Sequence, residues 1–329
     1  MSYLQAFVIA LVQGVTELFP VSSLGHSVLV PAWIGGSWQT MVTQSSQASS
    51  ETSFYLAYIV ALHCATALAL LWFFRADWAR IIRGLIASLL RGLRDRQLSI
   101  QGPDERLAWM IVLATIPVGL TGIALEHAFR TIFAKPAAAA AFLFVNGLIL
   151  LAGERLRRTR PSRAPELAGS AAAARPTPPG AHARQAGGRQ LAEIRAAAVS
   201  DARIARLPYR DSFYIGVLQI AALLAGISRS GVTMAGGLWR GLDHEDAARF
   251  AFLLATPPIL AAGVLKLPSL AGTAGAHIHG QILLGVVVTA VTAYLSVRFL
   301  VRWFQTRTLT PFAIYCLAFG ALSVVRFAF

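Results

Sequence analysis

Six apolar segments, each close to the roughly 20 residues that an α-helix needs to cross a lipid bilayer, determine the fold class of this chain. The composition agrees, because 56% of the 329 residues are apolar and only 13% are charged, which is far from the balance of soluble domains. The sequence therefore predicts an all-α, polytopic membrane protein with six transmembrane helices. The segments are Phe54–Phe74, Leu107–Leu125, Ala137–Gly153, Ala247–Leu267, Ile282–Val301 and Pro311–Phe327.

The net charge of +14 reflects membrane topology, and we expect no nucleic-acid partner. Arginines cluster between the first two spans and again after the third, which is typical of cytoplasmic loops. The segments Gly35–Ser53 and Ala271–Gly280 are almost free of charge, so we expect them outside. The cysteines, Cys64 and Cys316, both lie within apolar runs, which predicts neither a disulfide framework nor a zinc site.

Two further apolar stretches, Tyr3–Ile34 and Phe213–Trp239, are interrupted by polar residues near their middles. The first contains QGVTELFPVSSLGH at Gln13–His26, and the second contains QIAALLAGISRSGVT at Gln219–Thr233. Ionisable groups in membrane segments are costly and by default mark a functional site. The loop charges place both ends of the second stretch on one side, which predicts a re-entrant helical hairpin over residues 213–239. The same count favours a hairpin over residues 3–34, with a single interrupted span as the alternative.

The two interrupted stretches align with each other at an offset of 206 residues, as from Tyr3 to Tyr209. Each half of the chain then has one hairpin and three spans, and an odd number of spans inverts the second half. We expect inverted-topology repeats at residues 1–154 and 209–329, joined by a basic, Ala-, Arg- and Pro-rich cytoplasmic linker at 155–208. The hairpins should meet near the midplane in an internal polar pocket. The other aligned pairs are Phe7/Phe213, Gln13/Gln219, Ser22/Ser228, Ser23/Arg229 and Gly25/Gly231.

The second interrupted stretch has the chemistry of a phosphate site. Arg229 offers a planar fork of donors that matches phosphate oxygens, and the hydroxyls of Ser228, Ser230 and Thr233 can donate further hydrogen bonds. A helix that begins after Ser228 would add the partial positive charge of its N-terminus. The alternative is a kink of small residues in which Arg229 pairs with a carboxylate, most obviously Glu17. The two interpretations are compatible in the unliganded protein.

The first interrupted stretch supplies acid–base and nucleophilic groups. Gln13 and Glu17 are four residues apart, so on a helix they share a face. Glu17 can act as a base or hold a divalent cation, whereas Gln13 contributes only a neutral oxygen or a hydrogen bond. Ser22 and Ser23 are candidate nucleophiles, and His26 is a candidate general acid or base.

These segments resemble those of the undecaprenyl-diphosphate phosphatase family of bacterial membranes, the bacitracin-resistance type. QGVTELFPVSSLGH is similar to the family's Glu/Gln-x-x-x-Glu motif with its Pro-Val-Ser-Ser-x-Gly-His segment, and GISRSGVT is similar to its second-half Ser-Arg-Ser-Gly-x-Thr segment. The resemblance spans nearly the whole chain apart from Arg155–Arg206 and includes PFAIY at Pro311–Tyr315. Three positions depart from the family pattern: Gln13 replaces a frequent glutamate, Leu24 a threonine and Ala225 a proline.

The resemblance implies hydrolysis of undecaprenyl diphosphate to undecaprenyl phosphate and inorganic phosphate, which recycles the lipid carrier for cell-wall synthesis. It implies a multi-pass protein of the bacterial plasma (inner) membrane, among membrane lipids, that uses a divalent cation such as Mg²⁺ or Ca²⁺. The catalytic set would be Glu17, Ser23, His26 and Arg229. A cation would be held by Glu17 and Gln13. The residues expected to bind the diphosphate are Ser22, Ser228, Arg229, Ser230 and Thr233.

Two questions of function stay open at this point. Ser23, activated by Glu17 or His26, either attacks the terminal phosphorus or only positions the phosphate for a water. The rival function is a lipid-carrier flippase or an anion transporter with a midplane site, since inverted repeats are a transporter architecture. The clustering of serine, histidine and glutamate favours the enzyme. His63, in the middle of the first span, is a further candidate for the pocket.

Overall fold

The computed structural model describes residues 1–47, 54–133, 135–158, 197–271 and 278–328, and all regular secondary structure in these ranges is helical. Residues 197–204 are helical as well, and a 3-10 turn covers Gln219–Leu223. The helices are α1 (Tyr3–Thr16), α2 (Ser23–Ile34), α3 (Gly36–Gln47), α4 (Phe54–Phe73), α5 (Arg75–Asp95), α6 (Pro103–Phe133), α7 (Pro136–Arg158), α8 (Tyr209–Leu218), α9 (Arg229–Trp239), α10 (His244–Ala271), α11 (His279–Trp303) and α12 (Thr310–Ala328).

Six of the described helices are long and apolar enough to cross a membrane, which confirms the predicted number of spans. They are α4, α6, α7, α10, α11 and α12. The chain is therefore a multi-pass membrane protein. The spanning segments are Phe54–Phe73, Pro103–Leu125, Pro136–Arg158, His244–Leu265, His279–Trp303 and Thr310–Ala328.

The two interrupted apolar stretches form short helices that break at their polar residues. The helices α1, α2, α8 and α9 have 14, 12, 10 and 11 residues, so each falls short of the roughly 30 Å hydrocarbon core at about 1.5 Å per residue. Their first residues keep the offset seen in the sequence. Tyr3 and Tyr209 begin α1 and α8, and Ser23 and Arg229 begin α2 and α9.

Two helices lie where the sequence predicted only loops. Helix α3 occupies most of the predicted external loop 35–53, of which residues 48–53 lie outside the described residues. Helix α5 fills the arginine-rich connection between the first two spans. It is amphipathic: Asp77, Ile81 and Ser88 are buried, and Trp109 Nε1 of α6 donates to Ser88 Oγ at 2.9 Å. Loop charge indicates the side of the membrane but not whether the loop is helical.

Both ends of the predicted linker at 155–208 contain helix. Helix α7 continues to Arg158, and residues 159–196 lie outside the described residues. The helical segment 197–204 packs into the protein through Asp201, which is 1% exposed. Its carboxylate accepts from Arg80 Nη2 at 2.5 Å and from Arg249 Nε at 2.7 Å. These charge pairs join residues far apart in the chain, so composition alone could not reveal them.

The first short helix of each half packs on a spanning helix of the other half. Helix α1 packs on α11, where Thr289 Oγ1 donates to the carbonyl of Ala10 at 3.0 Å. Helix α8 packs on α6, where Ser212 Oγ donates to the carbonyl of Met110 at 2.9 Å. Helices α7 and α12, the last of each half, pack against each other. The two halves are therefore interleaved.

Gly226 is the position where the second break depends on the absence of a side chain. Its φ of +117° lies in a region that L-residues rarely adopt, and a Cβ there would meet the backbone of Ala139 and Leu143 in α7. We predict that Gly226→Ala lowers the free energy of unfolding by about 3 kcal/mol, from strain and crowding together. Denaturant unfolding of the purified protein in detergent measures this.

The matched control is Gly119→Ala in α6, where a Cβ meets nothing within 4 Å. This variant should unfold like the parent or slightly later, because alanine favours helix. Equal loss of stability in both variants would contradict the role given to Gly226.

Candidate active site

The carboxylate of Glu17 joins side chains from three parts of the chain. Glu17 is the C-cap of α1 and is 8% exposed. It accepts hydrogen bonds from Ser23 Oγ and from Arg229 Nη2, and Gln13 Nε2 donates to its Oε2 at 3.0 Å. His63 of α4 brings Nε2 to 3.4 Å from the same oxygen. Both interrupted stretches and the first span therefore converge on one buried charge.

The turn between α1 and α2 is fixed by Ser22. Its φ of 68° is unusual for a residue with a side chain. Its Oγ accepts from the N–H of Gly25 at 3.2 Å, which caps α2, and from the N–H of Gly226 at 3.1 Å. The hydroxyl predicted to bind diphosphate thus holds the two breaks together in the structure, and only its own hydrogen remains to donate.

The second break is capped in the same way. Ser228 Oγ accepts from the N–H of Gly231 at 3.1 Å and shares a hydrogen bond with Ser230 Oγ at 3.0 Å. Ser230 Oγ in turn donates to the carbonyl of Phe19 at 3.3 Å. Helix α9 therefore begins beside the turn that follows Glu17, with Arg229 as its first residue. A helix N-terminus in this position favours an anion.

Asn146 of α7 connects the two breaks and was missed by the sequence analysis. Its Nδ2 donates to the carbonyl of Pro20 at 3.0 Å, and its Oδ1 accepts from the N–H of Ser228 at 3.0 Å. The residue is fully buried. A lone amide in the apolar span Ala137–Gly153 was the available signal, because such a group in a membrane helix needs polar partners.

Three of the predicted site residues carry buried polar atoms without a hydrogen-bond partner among the described residues. They are Gln13 Oε1, Arg229 Nε and Thr233 Oγ1. Unpaired buried polar atoms are rare and costly, so each needs an explanation. The guanidinium N–H and the hydroxyl suit phosphate oxygens, and the amide oxygen suits a donor or a cation. All three atoms are therefore available to bond a ligand.

Gln13 directs its Nε2 to the Glu17 carboxylate and leaves its Oε1 without a partner among the described residues, so the two residues fit a divalent cation only in part. Within the described residues, no group of three or more His, Cys, Asp or Glu side chains is placed to hold a metal ion. One carboxylate and one amide oxygen are too few for an all-protein site. Mg²⁺ is commonly held by one or two carboxylates together with substrate phosphates, so these two residues fit a cation that arrives with phosphate.

His26 lies apart from the cluster around Glu17. Its Nδ1 is 2.7 Å from the carbonyl of Ser22, and its Nε2 is 2.7 Å from the hydroxyl of Tyr315. A carbonyl only accepts, so Nδ1 carries the hydrogen, and the Nε2 of the neutral ring accepts from Tyr315. The ring packs against both Tyr315 and Phe319 of α12, whose own rings are in contact with each other. The structure thus brings Gln13 and Ser23 together with Glu17 and Arg229, but it directs His26 toward α12.

Comparison with known proteins decides the family of this chain. The family model described as Bacitracin resistance protein BacA matches residues 6–322. The chain belongs to the BacA family. This confirms the family that the two polar segments suggested.

Members of the BacA family that are similar to this chain carry the name of a diphosphatase. Undecaprenyl-diphosphatase 2 of Frankia alni is 58% identical over 344 residues, which cover 100% of this chain and 98% of the relative. The undecaprenyl-diphosphatase of Mycolicibacterium paratuberculosis is 55% identical over 328 residues, with 100% and 98% covered. That of Acidiphilium cryptum is 41% identical over 334 residues, with 100% and 99% covered.

We predict that Asn146 sets the distance between the two breaks. Asn146→Leu removes both bridging hydrogen bonds and should lower the kcat of the phosphatase activity named for the relatives about hundredfold, because small displacements of reacting groups have effects of that size. Asn146→Asp keeps the acceptor for the Ser228 N–H and should lose less. Release of inorganic phosphate by the purified variants measures both effects.

Thr256→Val is the control for removing a buried polar group, since Thr256 is 1% exposed and its Oγ1, among the described residues, bonds only to the carbonyl of Phe252 in its own helix. Its activity should stay near that of the parent. If Asn146→Leu were no less active than Thr256→Val, the bridging role of Asn146 would be wrong.

Proposed function

We propose that the chain hydrolyses undecaprenyl diphosphate to undecaprenyl phosphate and inorganic phosphate at the cluster around Glu17. The activity is that of the BacA family and of the named relatives. The observation that carries the assignment to this site is the Glu17 carboxylate, which is bonded to the Ser23 hydroxyl and to the Arg229 guanidinium. A base, a nucleophile and an anion-binding group thus meet in one buried place. The family favours this reaction over a flippase or an anion transporter.

Ser23 is the nucleophile in this proposal, and Glu17 is its base. The Ser23 hydroxyl already donates to the carboxylate, so its proton can pass to Glu17 as the oxygen attacks the terminal phosphorus. The new Ser–O–P bond forms as the bridging P–O bond breaks, and undecaprenyl phosphate leaves. Water then cleaves the phosphoserine, which releases inorganic phosphate and restores Ser23.

Arg229 holds the transferred phosphate. Its Nη2 is bonded to Glu17, while its Nε has no partner among the described residues. The guanidinium can therefore keep the carboxylate in place and still donate to a phosphate oxygen. Thr233 Oγ1, which is also buried without a partner, adds a second donor from the same helix. Fixed donors at the transferred group supply most of the acceleration in phosphoryl transfer.

The remaining predicted residues support the reaction without taking part in bond cleavage, apart from His26. A divalent cation, when bound, would be held by Glu17 and Gln13 and would offset the charge of the diphosphate. Ser22 and Ser228 place the helix N-termini, and Ser230 ties α9 to the first break. His26 stays a predicted catalytic residue. Its ring has to leave Tyr315 before Nε2 can exchange a proton with substrate.

The architecture that we infer for this reaction is a pair of inverted repeats, residues 1–154 and 209–329, each with one re-entrant hairpin. The common offset of the short helices and the exchanged packing of α1 on α11 and of α8 on α6 support it. Hairpins that enter from opposite faces would bring Glu17 and Arg229 together near the midplane. We also infer that the protein lies in the bacterial inner membrane, since the substrate of the proposed reaction is a carrier lipid of cell-wall synthesis.

We predict that Ser23→Ala lowers kcat about a thousandfold or more, because the loss of a nucleophile is rarely compensated. Ser27→Ala in the same helix is the matched control, since its buried Oγ has no partner among the described residues. That variant should retain nearly full activity. Mass spectrometry of the parent after rapid quenching should also detect phosphoserine at position 23. Substantial turnover by Ser23→Ala would transfer the attack to water.

We predict that Arg229→Ala lowers kcat/KM by about a thousandfold, since it removes donors that act on developing charge. Arg229→Lys keeps the charge without the planar fork, so its kcat/KM should lie between those of the parent and Arg229→Ala. Arg210→Ala is the control because Arg210 has a side chain that is 79% exposed. Phosphate release near the parent level in Arg229→Ala would overturn the assignment.

A further inference from the structure

Tyr315 of α12 contacts the first break from the second half of the chain. Its hydroxyl is 2.7 Å from His26 Nε2, and the two rings are nearly parallel, with centroids 5.7 Å apart and planes at 12°. Tyr315 ends the PFAIY run, a segment to which the proposed reaction assigns no residue. A tyrosine hydroxyl away from water usually finds a hydrogen-bond partner. The contact gives this hydroxyl an acceptor and gives His26 a donor.

The two ring nitrogens of His26 connect Tyr315 to the backbone of the first break. Tyr315 donates to Nε2, and the N–H at Nδ1 donates to the carbonyl of Ser22 at 2.7 Å. In a neutral imidazole one nitrogen carries the hydrogen, and the bond made by the other nitrogen decides which one. Without the tyrosine hydroxyl, the hydrogen can move to Nε2, and the ring then has nothing to donate to Ser22. Tyr315 therefore fixes the tautomer on which that bond depends.

The carbonyl of Ser22 belongs to the peptide group that joins Ser22 to Ser23. Its orientation follows from the ψ of Ser22, 102°, next to the unusual φ of 68°. Backbone in such a sparsely populated region persists only when its surroundings hold it. The carbonyl accepts from the backbone N–H of His26 at 3.2 Å and also from its ring. Because a peptide group is planar, holding this carbonyl helps to fix the place where Ser23 begins α2.

Helix α12 is anchored next to Tyr315 and again further along. The following residue, Cys316, is buried, and its Sγ accepts from Asn146 Nδ2 at 3.3 Å. Towards the end of the helix, Ser323 Oγ accepts from Trp33 Nε1 of α2 at 2.9 Å. The tyrosine hydroxyl is therefore carried by a helix whose position relative to the first break is set by other bonds.

We propose that Tyr315 is a positioning residue for the phosphatase reaction. Its hydroxyl keeps the hydrogen of the His26 ring on Nδ1, and the ring in turn holds the turn from which Ser23 donates to Glu17. Tyr315 acts through His26 and supplies no donor to phosphate, so its loss should affect kcat rather than KM. The inference rests on the proposed function, because it takes Ser23 as the nucleophile.

Tyr315→Phe removes only the hydroxyl and keeps the ring that packs on His26. Phosphate release by the purified full-length protein should show a kcat about tenfold lower, with KM within about twofold of the parent, because a displaced nucleophile slows the chemical step. The matched control is Tyr294→Phe, which removes the hydroxyl of a half-buried tyrosine from the spanning helix α11. This control should keep the kcat of the parent. Equal kcat in the two variants would overturn the proposal.

A double-mutant cycle separates an action through His26 from a general effect on packing. His26→Asn keeps a side-chain N–H that can reach the Ser22 carbonyl but has no nitrogen in the place of Nε2. In that background Tyr315→Phe should change kcat by less than about twofold, because the hydroxyl has no ring nitrogen left to hold. The same loss of kcat in both backgrounds would contradict the proposal, since the hydroxyl would then act elsewhere.

NMR of the protein labelled with ¹⁵N at histidine tests the contact without turnover. The signals of His26 are those that disappear in His26→Asn. The parent and Tyr294→Phe should show the tautomer with hydrogen on Nδ1, and Tyr315→Phe should show part of the ring with hydrogen on Nε2. An unchanged tautomer in Tyr315→Phe would refute the part given to Tyr315 even with Ser23 as the nucleophile. Absence of phosphate release by the parent would instead refute the proposed function, and the positioning role with it, whatever the tautomer.

Discussion

The pairing of Glu17 with Arg229 is the interaction on which the rest of this structure depends. Either charge alone inside a membrane protein would be expensive, and breaking a buried pair typically costs about 3–5 kcal/mol. The pair exists because each member sits at a helix end: Glu17 caps α1, and Arg229 begins α9. Within a membrane, backbone that is not helical is tolerated only when it is enclosed by protein or lines a wet cavity. The short helices and their enclosure by spans follow from that one charge pair.

Enclosure is achieved by interleaving the two halves. Helix α1 packs on α11 and helix α8 packs on α6, so each half helps to enclose the polar break of the other. Asn146 links the two breaks with a single side chain, because it hydrogen-bonds to the carbonyl of Pro20 in one break and to the N–H of Ser228 in the other. Packing against the partner half replaces the water that would otherwise satisfy these groups.

The parts of the fold that follow a local rule could be predicted from the sequence. The six membrane helices were predicted from the length of the apolar segments. The two breaks, and the proximity of Ser23 to Arg229, were predicted from polar residues that are costly in a membrane. Features that depend on distant partners could not be predicted. Tyr315 lies 289 residues from His26, and Asp201 finds Arg80 at a separation of 121. The helix α5 was missed for another reason, since an amphipathic helix rich in arginine has the composition of a loop.

The hydroxyl of Ser22 caps α2 and also accepts from Gly226, 204 residues further along the chain. This long-range bond has a consequence for folding during synthesis. When the ribosome has released the first half into the membrane, the turn at Ser22, with its unusual φ, has only part of its final hydrogen bonding, and Glu17 has no arginine. Both missing interactions form when residues 226–229 pack against the first half, since Gly226 bonds to Ser22 and Arg229 bonds to Glu17. The cluster around Glu17 is thus completed only by the second half of the chain, and until then the carboxylate has Gln13, Ser23 and His63 within reach but no guanidinium.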